Sequence, residues 1–185
     1  MRRTLRDLEE DRARESLERR RRAALAVLRT IPRGLYVILD AARRPAVYAL
    51  TQKTSERCVS LYQGESALTL RAQAPYLIEL RPGSALLERI VLEGWGDAWG
   101  VFVESAWSLE ELRHQLRMLT FVELPDGKKA YFRFYDPRVL RAFLPTCDET
   151  QRRQLCAGID RFLLEGSDHD LLQAGVGGEL RGALR

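Results

Sequence analysis

The sequence predicts a single domain of mixed helix and sheet, α/β in class and more closely α+β, and three observations carry that expectation. Short apolar runs suited to buried strands, such as Leu35-Tyr36-Val37-Ile38-Leu39, alternate with segments whose apolar residues recur at helical spacing. The 185 residues are 45% hydrophobic and 30% charged, the balance of a globular chain. A chain of that length buries about 70% of its unfolded surface without needing a disulfide framework or a structural metal. Finally, Pro125-Asp126-Gly127 is a turn signal between two β-rich arms, Phe121–Leu124 and Lys128–Tyr135, which adds an antiparallel hairpin and makes the expected sheet mixed.

The elements follow in order. From Thr4 to Arg29 there is neither Gly nor Pro, and Arg and Glu lie three or four residues apart, which predicts one long charged helix. Its apolar residues are sparse before Leu25, Val27 and Leu28, so only its C-terminal end is expected to dock on a core. The first strand, Leu35–Leu39, ends at Asp40. Pro45 then occupies a first helical position and opens a helix to about Thr54. Cys58–Tyr62 reads as a second strand, a short helix follows around Glu65–Gln73, and Pro75–Leu80 is a third strand. Ser84 caps a helix carrying Leu86, Leu87, Ile90 and Val91, which Gly94 stops.

Ala98–Glu104 is a further strand. Ser108 and Glu111 form a capping box for a helix whose Leu109, Leu112, Leu116 and Leu119 share one face. Asp136-Pro137 supplies an N-cap and a first-turn proline for a helix bearing Val139, Leu140, Phe143 and Leu144, ended by Pro145. Thr146 and Glu149 read as a second capping box, for a helix to about Ala157, and Ile159–Leu164 as a last strand. The organisation expected is a charged helical arm over residues 1–30, a folded body over 31–165, and a flexible Gly-rich tail over 166–185.

Charge is divided unevenly. Residues 1–30 hold ten arginines and six acidic residues and so carry the whole net charge of +4, while residues 31–185 hold 20 basic and 20 acidic residues. A neutral body lacks the basic stripe that phosphate neutralisation requires, so no nucleic-acid partner is expected for it. The alternative, a nucleic-acid-associated protein, rests on the basic N-terminal helix alone, which reads more simply as a solvated arm. No apolar run approaches the ~18 residues that span a bilayer, and no membrane partner is expected. Cys58, Cys147 and Cys156 are odd in number and form no C-x-x-C pair, which suits a reducing compartment, and the protein is expected to be cytoplasmic.

Motifs of catalysis are not found. The two histidines, His114 and His169, have no motif partner, and neither C-x-x-C nor H-E-x-x-H occurs, so no metal or other cofactor is expected. There is no nucleophile elbow, phosphate loop or dinucleotide fingerprint. Gly94-Trp95-Gly96-Asp97-Ala98-Trp99-Gly100 follows a helix and precedes a strand, the reverse of a dinucleotide turn, and its glycines and tryptophans read as geometry and core. Lys128–Tyr135 has the aromatic and basic character of an RNA-recognition strand but lacks that motif's glycines. Asp40 and Asp136 could serve as an acid and base, yet spacing does not bring them together.

Four segments, in this order, carry a more specific likeness: Leu35-Tyr36-Val37-Ile38-Leu39-Asp40-Ala41-Ala42-Arg43, Ala74-Pro75-Tyr76-Leu77-Ile78-Glu79-Leu80, Gly94-Trp95-Gly96 with Trp99-Gly100, and Phe132-Arg133-Phe134-Tyr135-Asp136-Pro137-Arg138-Val139-Leu140. With Phe143-Leu144-Pro145-Thr146 and Asp160-Arg161-Phe162-Leu163 behind them, the chain resembles the type VI secretion effector chaperone, or adaptor, family from about Gly34 to Leu164. The resemblance implies a non-enzymatic cytoplasmic chaperone. Its partners would be the N-terminal region of a cognate toxic effector and, transiently, the spike protein of the secretion machine. It supplies no catalytic residues. Because Trp, Tyr and Arg dominate interface hot spots, the candidate partner-binding residues are Trp95, Trp99, Arg133, Tyr135, Arg138 and Arg141.

Overall fold

A computed structural model describes residues 4–123, 127, 129–175, 177 and 179–183. The Pro125-Asp126 part of the turn expected between the hairpin arms lies outside the described residues. Helix α1 spans Leu5–Arg29. At its start the Thr4 hydroxyl accepts from the Asp7 N–H and the Asp7 carboxylate accepts from the Thr4 N–H, so two otherwise orphaned donors are satisfied. Its buried residues are Ala24, Leu25 and Leu28, at the C-terminal end where the leucines thicken.

The body alternates as expected: β1 (Leu35–Asp40), α2 (Pro45–Lys53), β2 (Arg57–Ser60), α3 (Gly64–Thr69), β3 (Pro75–Leu80), α4 (Ala85–Gly94), β4 (Gly100–Glu104), α5 (Leu109–Met118), β5 (Phe121–Glu123), β6 (Lys129–Tyr131), α6 (Pro137–Phe143), α7 (Glu149–Leu155), β7 (Arg161–Glu165), β8 (Leu171–Gly175) and β9 (Arg181–Gly182). Seven strands form one sheet in the order β2-β3-β1-β4-β7-β8-β9, and β5 pairs with β6 in a separate two-stranded sheet. None of the described helices is long and apolar enough to cross a membrane.

All six positions of β1 are buried, because it lies between β3 and β4 and helices cover both faces of the sheet. Alternation assigns its side chains to two cores. Leu35, Val37 and Leu39 pack with Ile78, Leu80, Phe102 and the inner sides of α1, α2 and α4. Tyr36 and Ile38 pack with Leu77, Val101, Val103 and the leucines of α5, α6 and α7. Register is therefore strongly set, since a slip of one residue would exchange the two sets.

Three expectations are corrected. The sheet is not mixed, as every pairing among the described residues is antiparallel. The helical crossovers do join parallel strands, β1 to β2 and β3 to β4, but β3 and β1 respectively lie between them and convert each contact to an antiparallel one. The cap of α7 is Asp148 with Gln151, not Thr146 with Glu149. Thr146 is committed to a 3-10 turn after α6, where its hydroxyl donates to the Phe143 carbonyl at 2.8 Å. The tail after Gly166 is not loose throughout: β8 pairs with β7 along five positions, with Leu171 and Ala174 buried. A tight reversal makes this possible, with the Gly166 N–H donating to the Asp170 carbonyl at 2.7 Å and His169 at φ 63°.

Candidate functional site

The tryptophan segment links α1 to the sheet. Trp95 and Trp99 are 4% and 6% exposed and belong to the core under α1 and α4, so the expectation that they offer binding surface is corrected and the geometric reading stands. Gly94 is required here, since a Cβ would sit 2.5 Å from the Trp99 ring, and Gly96 adopts φ +98°, which side chains rarely accept. Asp97, between the rings, accepts from the guanidinium groups of Arg43 and Arg44 and from the Trp99 indole N–H. The Arg44 hydrogen bond is the largest cause that holds its carboxyl down at about 2; burial, the next largest, opposes it, and the Trp99 hydrogen bond and the Arg43 charge add to the lowering.

The second cluster lies where β1 ends and α6 begins. Asp40 and Asp136 are 1% and 2% exposed, and the structure brings them together around one arginine. Arg133 ion-pairs with Asp40 and stands 4.0 Å from Asp136. Arg138 closes the Asp136 side with Nε donating to Oδ1 at 2.9 Å and Nη2 to Oδ2 at 2.6 Å. The Arg138 backbone N–H donates to the same carboxylate, which is the N-cap expected of Asp136. Burial pushes the Asp136 carboxyl up, but Arg138 and Arg133 outweigh it and the group titrates below its usual range. Both carboxylates are thus engaged as arginine acceptors.

Arg133 separates two open concavities. One, of about 210 Å³, is lined by Asp40, Tyr62, Gln73, Tyr131, Arg133 and Tyr135. The other, of about 670 Å³, runs over Phe132, Asp136, Arg138, Phe143 and Thr146. Of the six residues singled out from the sequence, Arg133 and Arg138 lie here with side chains 43% and 49% exposed. Tyr135 also lines the first concavity but is only 2% exposed, so its expected role as a surface contact is corrected. Its hydroxyl is paired with that of Tyr62, and burial, then this bond, raises its pKa. Arg141 points elsewhere, donating to the Glu165 carbonyl at the end of β7.

Sequence reasoning missed the surface beside this cluster. Met118, Phe121, Val122 and Tyr131 are 64%, 45%, 39% and 46% exposed, at the end of α5 and on the β5–β6 hairpin. The available signal was the apolar and aromatic content of both hairpin arms. His169 also has a partner that spacing did not reveal, its Nδ1 lying 2.5 Å from the Glu165 carboxylate. Among the described residues no group of three or more His, Cys, Asp or Glu could hold a metal ion. Burial pushes the Cys58 thiol up to about 12 and raises Cys147 and Cys156 as well, which keeps all three protonated at neutral pH.

Comparison with known families matches residues 35–154 to the family described as Domain of unknown function (DUF4123). The match begins at the first residue of β1, covers both charged clusters and the hairpin, and ends one residue short of the α7 terminus. It spans more than half of the chain. The chain belongs to this family. The DUF4123 region thus contains the Asp97 and Asp40–Arg133 clusters whole, while α1 and the strands β7, β8 and β9 lie outside it. No curated protein and no solved structure matches the chain.

Proposed function

We propose that this DUF4123 protein is a non-enzymatic adaptor of the type VI secretion system, which binds the N-terminal region of one toxic effector in the cytoplasm and passes it to the spike protein. The observation that carries the reading is the family match over residues 35–154, which falls within the stretch whose motifs resemble the adaptor family. The chemistry of the clusters supports it. The carboxylates of Asp40, Asp97 and Asp136 are all engaged by arginines, while the apolar side chains of Met118, Phe121 and Tyr131 stand in solvent. A surface of that kind favours association over acid–base work.

Binding would stabilise the folded effector by mass action, because the adaptor engages that form and not the unfolded one. Delivery requires release, so the interface belongs to the moderate size class and not to the permanent one. The test is to isolate the tagged full chain from its native cells in ~0.5 M salt, where exposed charges are screened, and to identify what accompanies it. One effector in stoichiometric amount supports the adaptor. A preparation without a protein partner, or with nucleic acid alone at low salt, opposes it.

A further inference from the structure

The β5–β6 hairpin leaves apolar side chains partly exposed on both of its faces. Phe121 and Tyr131 are cross-strand partners on one face and Val122 lies on the other, yet all three remain more than a third exposed. Among the described residues these two strands pair only with each other, so each keeps an open edge of backbone donors and acceptors. A two-stranded ribbon of this kind is marginal in water by itself, and an apolar one gains by being covered. At its root it is anchored, with the Phe132 N–H donating to the Thr120 carbonyl and the Tyr131 ring 5.4 Å from that of Tyr62.

Charge selects the kind of cover. Residues 113–141 contain seven basic and three acidic residues, but Arg113 pairs with Glu110 and Arg133 with Asp40, both outside that stretch, so the local surplus is two. One of those three acids, Asp136, is buried beneath Arg138. Arg133 and Arg138 keep about half of their side-chain surface in solvent. Arg117, one residue before Met118, stands near Arg113 and makes no ion pair among the described residues. Ring geometry speaks against stacked bases: Tyr131 is tilted 40° to Phe121 at 4.6 Å and 43° to Tyr62 at 5.4 Å, so the rings pack on one another instead of presenting open parallel faces.

We infer that the hairpin, with the end of α5 and the Arg117, Arg133 and Arg138 rim, is a docking surface for an acidic, extended segment of a protein partner that carries apolar anchors. Such a segment can add to a hairpin edge through its main chain while alternate side chains cover Phe121 and Tyr131. Its carboxylates face the arginines. The inference rests on the adaptor reading for the identity of the partner and names the part of the effector that is bound.

The experiment pans a library of random 12-residue peptides against the full chain and measures the enriched peptides by fluorescence anisotropy. Three variants accompany it: Tyr131→Asp, Arg117→Glu and, at an exposed site on α1, Leu5→Ser, each first checked for unchanged circular dichroism and Tm. Enriched peptides should be net acidic with apolar residues at alternate positions, and should bind at least about tenfold more weakly to the two hairpin-side variants but equally to Leu5→Ser. The inference is overturned if enriched peptides are neutral or basic, or if binding is indifferent to Tyr131→Asp and Arg117→Glu. It is equally overturned if single-stranded oligouridylate binds through these residues and peptides do not, or if a dimer of the chain dissociates on Tyr131→Asp. Failure of the two readings is separable: an effector that still accompanies Tyr131→Asp refutes the surface alone, whereas acidic peptides on the hairpin of a chain that carries no effector refute the adaptor alone.

Discussion

The guanidinium of Arg21 donates from Nε and Nη2 to the carbonyl oxygen of Trp95, at 3.0 and 2.8 Å, and the Trp95 indole N–H donates in turn to the carbonyl of His169 at 2.7 Å. This relay ties α1 to the end of α4 and to the β7–β8 turn. Arg20 and Asp170 form an ion pair beside it, and Arg29 meets Glu88 on α4 at 2.8 Å. The arm is therefore fastened along its second half, by polar contacts as well as by Leu25 and Leu28.

Replacing Arg21 with Ala should cost about 1–2 kcal/mol, the scale of hydrogen bonds from a charged donor to a partly buried carbonyl. That corresponds to a fall in Tm of roughly 2–8 °C for a chain of this size. Hydrogen exchange should accelerate in α1 and leave β1 unchanged. Leu28→Ala, which removes a fully buried side chain, should cost more, about 2–5 kcal/mol by urea denaturation.

Asp40 and Arg133 predict an asymmetry. Asp40 is 1% exposed and Arg133 is 43% exposed at the side chain, so losing either partner strands a very different group. Arg133→Met leaves a buried carboxylate without its cation, at a cost of about 2–4 kcal/mol. Asp40→Asn leaves an arginine that water can reach and an amide that still accepts a hydrogen bond, at about 1 kcal/mol. Chemical denaturation of both variants should rank Arg133→Met as the less stable, and an equal loss would contradict the burial argument.

Acid should weaken the protein partly through Asp97. Its carboxyl is held at about 2 by Arg44, Trp99 and Arg43, against a usual 3.8, so on acidification the unfolded chain takes up the proton first. The stability this supplies is complete above about pH 4 and is lost as pH falls toward 2. With the side chain 22% exposed, solvent screening keeps the contribution to about 1 kcal/mol. Asp97→Asn should be less stable at pH 7 and should show a shallower fall between pH 4 and pH 2. Asp136, also held below its usual range, leaves a residual slope in that variant.

Removing residues 166–185 should abolish cooperative unfolding. β8 contributes Leu171 to one core and Ala174 to the other, and without it β7 becomes a bare edge with Phe162, Leu163 and Leu164 uncovered. A truncated chain with a sharp, native-like thermal transition would contradict this.

How much of this was legible in the sequence depended on whether a rule acts locally. Caps are local, and Ser84, Ser108 and Asp136 start helices as expected, although the cap of α7 falls on Asp148, two residues beyond the expected Thr146. Strand β3 has the bounds its apolar run predicts. Pairing is not local: nothing in β1 states that it inserts between β3 and β4, which is what turned an expected mixed sheet antiparallel. β8 was hidden because Gly-rich composition outweighed the reversal at 166–170, where Gly, Ser, Asp and His between two apolar runs were the readable sign of a hairpin. At the site, residue type pointed to Arg133 and Arg138, which are at the surface, but also to Trp95, Trp99 and Tyr135. Large rings suit a core as well as an interface, and only the fold decides between them.

The most direct measurement of the central claim is purification of the tagged full chain from its native cells in ~0.5 M salt, followed by identification and stoichiometry of its companion. The account predicts one effector protein at a fixed ratio, retained by Leu5→Ser and released by Tyr131→Asp in a chain that melts normally. A chain that emerges alone, or accompanied only by nucleic acid that leaves as salt rises, would contradict it.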